Sequence, residues 1–133
     1  MIAVINKADA LALLGIGARS FPAMARALSF VDKCVTITDY IVIQEVVKAK
    51  VLVSASAGVL ELDLHMGFDI FGSARKAIEN LVISNINGFA ELRQMGMTAL
   101  KLPNGNIAIA VKGLNVTSAT CVNGALMVEA DLQ

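Results

Sequence analysis

His65 is the only histidine of the chain, and it stands among carboxylates. Glu61, Asp63, His65 and Asp69 alternate with Leu60, Leu62, Leu64, Met66, Phe68 and Ile70. Successive strand side chains point to opposite faces, so this spacing gathers the polar groups on one face. Neighbours two apart on that face can touch. Asp63 beside His65 would orient an imidazole as a general base or a metal ligand. Paired carboxylates among Glu61, Asp63 and Asp69 would suit acid–base work or calcium. The plainer reading is the wet side of an antiparallel sheet, and it is favoured for all four residues.

Other chemistry is scarce. There is no GxSxG elbow and no Cys/His signature for a nucleophile. Gly15-Ile16-Gly17 lacks the third glycine and the downstream acid of a dinucleotide loop. Cys34 and Cys121 lie far apart in apolar contexts, with no CxxC pair, and read as buried reduced thiols. No catalytic residue, metal or cofactor is expected, and the chain reads as a non-enzyme more readily than as an enzyme.

The elements that must carry these residues are mostly strands. VTITDYIVIQEVV and KVLVSASAG, between Val35 and Gly58, are rich in β-branched residues. A turn is expected near Val46–Lys50, without Gly, Asn or Asp to mark it, and a clearer one at Ala57-Gly58. Further on, Asn104-Gly105 separates TALKL from NIAIAVKG, and Asn123-Gly124 separates LNVTSATCV from ALMVEADL. Asn-Gly favours type I′ hairpin turns, so four strands are expected between Thr98 and Leu132. Met1–Lys7 reads as a leader or an edge strand, and Ala10–Ser20 as a strand running into a helix start. Helical spacing predicts a helix over Phe21–Lys33, with Ser20 as its cap. A second is expected from an N-cap at Ser73 through Val82, with LVISNI as its continuation or as a short strand. Asn87 would cap a third, Phe89–Met95, which Gly96 ends. The fold class is α+β: mainly antiparallel sheet covered by two or three helices, with a C-terminal β-meander. The 133 residues suit a single domain, 1–133, with an α+β core over 10–96 and the meander over 97–133.

Composition points to a partner. Hydrophobic residues make up 56% of the chain and charged residues 17%, while aromatics are 5%. The excess is aliphatic, and a domain this small has too much surface to hide it alone. Burial of some of it between subunits is the favoured reading, and a well-packed, Ala-rich monomer core is the other. Eleven basic residues balance eleven acidic ones, which favours self-association. No basic run supports nucleic-acid binding. No apolar stretch is long enough for a membrane helix, and Lys7 with Asp9 does not make the basic start of a signal peptide. The expected setting is cytoplasmic. Lys48 and Lys50 read as solvated charges, which in a symmetric ring would line a central opening.

Several pieces in order resemble the bacterial microcompartment shell domain, over about residues 10–95. LLGIGARSFPAMARALSFVDKC is similar to that family's opening strand, turn and first helix. VTITDYIVIQEVVKAKVLVSAS resembles its next two strands. VLVSASAGVLELDLHMG has the length of its strand, acidic turn and second-helix start, and LVISNINGFAEL resembles its last strand and closing helix. The resemblance implies a hexamer in which Lys33 packs one ring against the next. It also implies that Val46, Val47, Lys48, Ala49 and Lys50 face a central pore. The chain departs from the family in three places. Its pore loop lacks glycines, Ser56 replaces the acidic turn residue, and the meander has no counterpart. The resemblance also implies a helix where GVLELDLHMGFDI alternates like a strand.

The expectation is a structural, self-assembling subunit forming a ring, shell or tube. Its partner is itself as a homo-oligomer, or related structural subunits, with no nucleic acid and no membrane. The alternating strand and the Asn-Gly hairpins would equally suit a phage-type tube, in which neighbouring subunits continue one sheet. The alternative is a small oligomeric enzyme or ligand-binding protein, with an interface site near Asp63, His65 and Asp69.

Overall fold

Two antiparallel sheets organise the chain. The computed structural model describes residues 1–13, 28–31, 34–42, 45–67 and 72–133. In order, the elements are β1 (Ile2–Ile5), α1 (Lys7–Leu13), β2 (Leu28–Val31), β3 (Cys34–Val42), β4 (Glu45–Ser56) and β5 (Val59–Met66). They continue with α2 (Ser73–Gly88), α3 (Ala90–Gln94), β6 (Met97–Lys101), β7 (Ile107–Val111), β8 (Leu114–Val122) and β9 (Ala125–Leu132). A six-stranded sheet has the order β2-β3-β4-β5-β7-β6, and a three-stranded sheet the order β1-β9-β8. The α+β class read from the sequence is the one observed.

Local alternation decided the segment that the sequence left open between strand and helix. Val59–Met66 is a strand, paired with β4 from Ser56↔Val59 to Ala49↔Met66. Leu64 is buried, and Leu60, Leu62 and Met66 are partly buried on the same face. Period two serves a sheet that is apolar on one side only, and a helix here would have scattered those leucines around its circumference.

The inner face of the large sheet has two covers. At one end α2 lays Ile78, Val82 and Ile86 over Ile37, Ala49, Leu64, Ala99 and Ile107. At the other the small sheet brings Cys121 and Leu126 against Val53, with Leu60, Leu62 and Val51 around them. Where the covers meet lies an apolar cavity of about 300 Å³, reached by Ile5, Phe30, Leu62, Ile78, Val82 and Leu126.

The C-terminal meander divides between the sheets. β6 and β7 extend the large sheet beside β5, whereas β8 and β9 turn away to pair with β1. The turns follow from single residues. Asn123 and Gly124 both have positive φ, as a type I′ turn needs, and so do Ala57 and Gly58. Between β6 and β7 only Gly105 has positive φ. Pro103 precedes Asn104 there and fixes φ for an ordinary turn, which closes by Gly105 N–H donating to the Leu102 carbonyl at 2.9 Å.

Three expectations are corrected. Leu28–Val31, placed in a helix by spacing, is strand: Leu28 and Phe30 turn inward while Ser29 and Val31 are exposed, and all four pair with β3. The rest of that helix, including Lys33, lies outside the described residues. Ala10–Leu13, read as strand, ends a helix instead. Asn6 and Asp9 form a reciprocal cap, each backbone N–H donating to the other's side chain at 3.2 and 2.9 Å, ahead of helix-favouring Ala and Leu. Finally, α2 is capped by Gly72 rather than Ser73, and it runs unbroken through LVISNI to Gly88.

Candidate functional site

Asp63 and His65 project from the outer face of β5 as alternation requires. His65 Nε2 and Asp63 Oδ2 are 3.0 Å apart, with the side chains 57% and 39% exposed. Lys50 stands directly across from His65 on β4, and Leu52 across from Asp63. The carboxylate can orient the imidazole. The pair lies open on a sheet, so nothing there excludes water or concentrates a substrate. Glu61 is on the same face, where its Oε1 lies 3.4 Å from the Asn104 side-chain amide. Asp69, the third member of the sequence-read site, lies outside the described residues. Among the described residues no three His, Cys, Asp or Glu gather as a metal would require.

The stretch expected to line a pore or ring is not a turn. Val46, Val47, Lys48, Ala49 and Lys50 all lie within β4, which begins at Glu45. Strand geometry divides them. Lys48 and Lys50 are exposed, whereas Ala49 is 3% exposed in the core under α2. β3 ends at Val42 and β4 begins at Glu45, so the second strand of the pair starts ahead of the turn expected from the sequence. Only Lys48 and Lys50 of the described side chains can meet solvent or a neighbour.

Two features escaped sequence reasoning. One is a buried charge cluster. Glu79, on α2, is 3% exposed and bonded by Arg75 Nε at 2.7 Å and Lys101 Nζ at 2.9 Å. Arg75 also donates to the Gly105 carbonyl at 3.3 Å. Burial works against the charged form of Glu79, but the hydrogen bonds and charges of Arg75 and Lys101 outweigh it. Its carboxyl is held below the ordinary value. The Arg75-to-Glu79 spacing of four was legible as a helix pair, whereas Lys101 arrives from a strand remote in sequence. The cluster pins α2 to β6 and to the turn beyond it. It is fully paired, so it reads as structure rather than chemistry.

The other is the arm formed by β3 and β4. β5 stops at Met66, opposite Ala49, and β2 starts at Leu28, opposite Ile37. Beyond those points the β3–β4 ladder continues through Tyr40↔Val47, Ile41↔Val46 and Val42↔Glu45. Among the described residues these six pair only with one another. The cavity between the covers adds no reactive group, since every lining residue is apolar. No helix among the described residues is long and apolar enough to cross a membrane. Compared with protein-family models, curated proteins and solved structures, the chain matches none.

Proposed function

We propose that this chain is a structural subunit that assembles with copies of itself, or with related subunits, into a ring, shell or tube. Exposed apolar side chains carry the reading: Met1, Ile2, Val4, Val31 and Leu132 stand on the surface of a chain that is 56% hydrophobic. A microcompartment-like shell and a phage-type tube both remain forms of this proposal. A cytoplasmic setting suits the buried Cys121 thiol. The test is the double variant Ile2→Lys, Val4→Lys, at two exposed positions. It should disperse the assembly while keeping the wild-type circular dichroism, and unchanged assembly would count against this reading.

The bond between Asp63 and His65 supports a second reading, a small oligomeric enzyme or ligand-binding protein with an interface site near Asp63, His65 and Asp69. Loss of activity or of bound metal in His65→Ala, with assembly retained, would favour it.

A further inference from the structure

We infer that Asn123 is a site of spontaneous modification, its side-chain amide lost to attack by the Gly124 nitrogen, while the fold protects the same dipeptide elsewhere. Asn-Gly occurs at Asn87-Gly88, Asn104-Gly105 and Asn123-Gly124. Glycine has no Cβ to crowd its nitrogen, so sequence alone leaves all three open to the reaction.

The step balances without oxidant or reductant. The Gly124 nitrogen bonds to Cγ of Asn123 and closes a succinimide ring. The Cγ–Nδ2 bond breaks, and ammonia leaves with the proton given up by the Gly124 nitrogen. Water then opens the ring at one carbonyl or the other, giving Asp or its β-linked isomer. Attack requires a glycine nitrogen that can swing beside the asparagine Cβ, and an amide that is not held elsewhere.

Two of the pairs are held. Asn87 Nδ2 and Oδ1 are both bonded to Ala99 at 2.9 Å, and Gly88 belongs to α2. Asn104 Oδ1 accepts from the Asn106 N–H at 2.9 Å. The Gly105 N–H, whose nitrogen would attack there, closes its turn on the Leu102 carbonyl at 2.9 Å, and Arg75 donates to the Gly105 carbonyl at 3.3 Å.

Asn123 and Gly124 are the two central residues of the β8–β9 turn, with φ of 51° and 76°. Val122 and Ala125 on either side form the last pair of the ladder. Turning the peptide plane between Asn123 and Gly124 converts this type I′ turn to type II′, which also suits a two-residue hairpin. In type II′ the first central residue has ψ of about −120°, which sets the next nitrogen beside Cβ and within reach of Cγ. Asn123 need visit that state only in passing. The flip moves the Asn123 carbonyl and the Gly124 N–H, and among the described residues neither is hydrogen-bonded, nor is the Asn123 amide. A Cβ placed on Gly124 would meet nothing within 4 Å, so the plane has room to turn.

The products alter the chain in two ways. Eleven acidic groups become twelve against eleven basic ones. The β-linked isomer also lengthens the turn backbone by one atom, which loosens the Val122↔Ala125 pair beside buried Cys121 and Leu126.

The test is peptide mapping by mass spectrometry of the wild-type protein after incubation in mildly alkaline buffer, folded and in urea. Trypsin places the three pairs in separate peptides, 77–93, 102–112 and 113–133. In the folded protein Asn123 should convert at least about tenfold faster than Asn104 or Asn87, the factor expected for one hydrogen bond that attack must break. In urea the three rates should converge. Conversion of Asn104 or Asn87 as fast as Asn123 in the folded protein would overturn the inference. So would an Asn123 that stays intact when folded and converts only in urea.

Discussion

Asn87 meets Ala99 as a neighbouring strand would. Its Nδ2 donates to the Ala99 carbonyl and its Oδ1 accepts from the Ala99 N–H, both at 2.9 Å. One side chain from the last turn of α2 thus closes the middle of β6, the last strand of the large sheet. Ala99 is buried, so both of its backbone groups depend on this amide.

Asn87→Leu should therefore cost about 2 kcal/mol, because two buried backbone groups lose their partners. Asn87→Asp should recover only the bond that accepts from the N–H, since a carboxylate cannot donate. Urea midpoints should rank wild type above Asp, and Asp above Leu. An unchanged midpoint in Asn87→Leu would mean that the edge is satisfied in another way.

The Glu79 cluster sets an acid limit. Unfolded, its carboxyl titrates near the ordinary value of about 4.5, and folded, at a lower one. Above 4.5 both states are ionised and the stabilisation is complete. As pH falls through 4.5 and then through the folded value, the unfolded chain takes up the proton first and the stabilisation is lost. Glu79→Gln should flatten that part of the stability profile between pH 6 and about 3. Glu79→Ala should cost about 3 kcal/mol at neutral pH, as expected for breaking a buried pair.

Gly58 sits at the β4–β5 turn with φ of +80°, and an added Cβ would lie 2.4 Å from Asn115 Oδ1. Gly58→Ala should destabilise by about 1–2 kcal/mol, from the left-handed backbone and the clash together. Combining it with Asn115→Ala should recover the part due to the clash and leave the backbone part. Full recovery in the double variant would show that the turn tolerates Ala, as it does at Ala57 (φ 52°).

His65→Ala should change stability by less than about 0.5 kcal/mol and leave assembly intact, as for an exposed pair. A larger loss, or a lost activity, would move weight to the site reading.

The sheet was legible wherever one face is buried and one is wet. Leu60 to Met66 and the Asn123-Gly124 hairpin declare themselves by period two and by turn chemistry. The ends of elements were less legible, for local reasons. Val46–Lys50 has no turn residue, and it lies inside β4, which begins at Glu45. Leu28–Val31 fits helical spacing and alternation equally well, and pairing with β3 decided it. The candidate site divides in the same way. Asp63 and His65 are two apart, so their contact follows from strand geometry alone. The contact of Glu79 with Lys101 and that of Asn87 with Ala99 depend on how α2 crosses β6, which no local pattern encodes.

Whether this chain assembles is tested most directly by the mass of the purified protein in light scattering, with negative-stain images of the same fraction. The account predicts a homo-oligomer seen as closed rings, hexagonal sheets or stacked tubes. A clean monomer would contradict it.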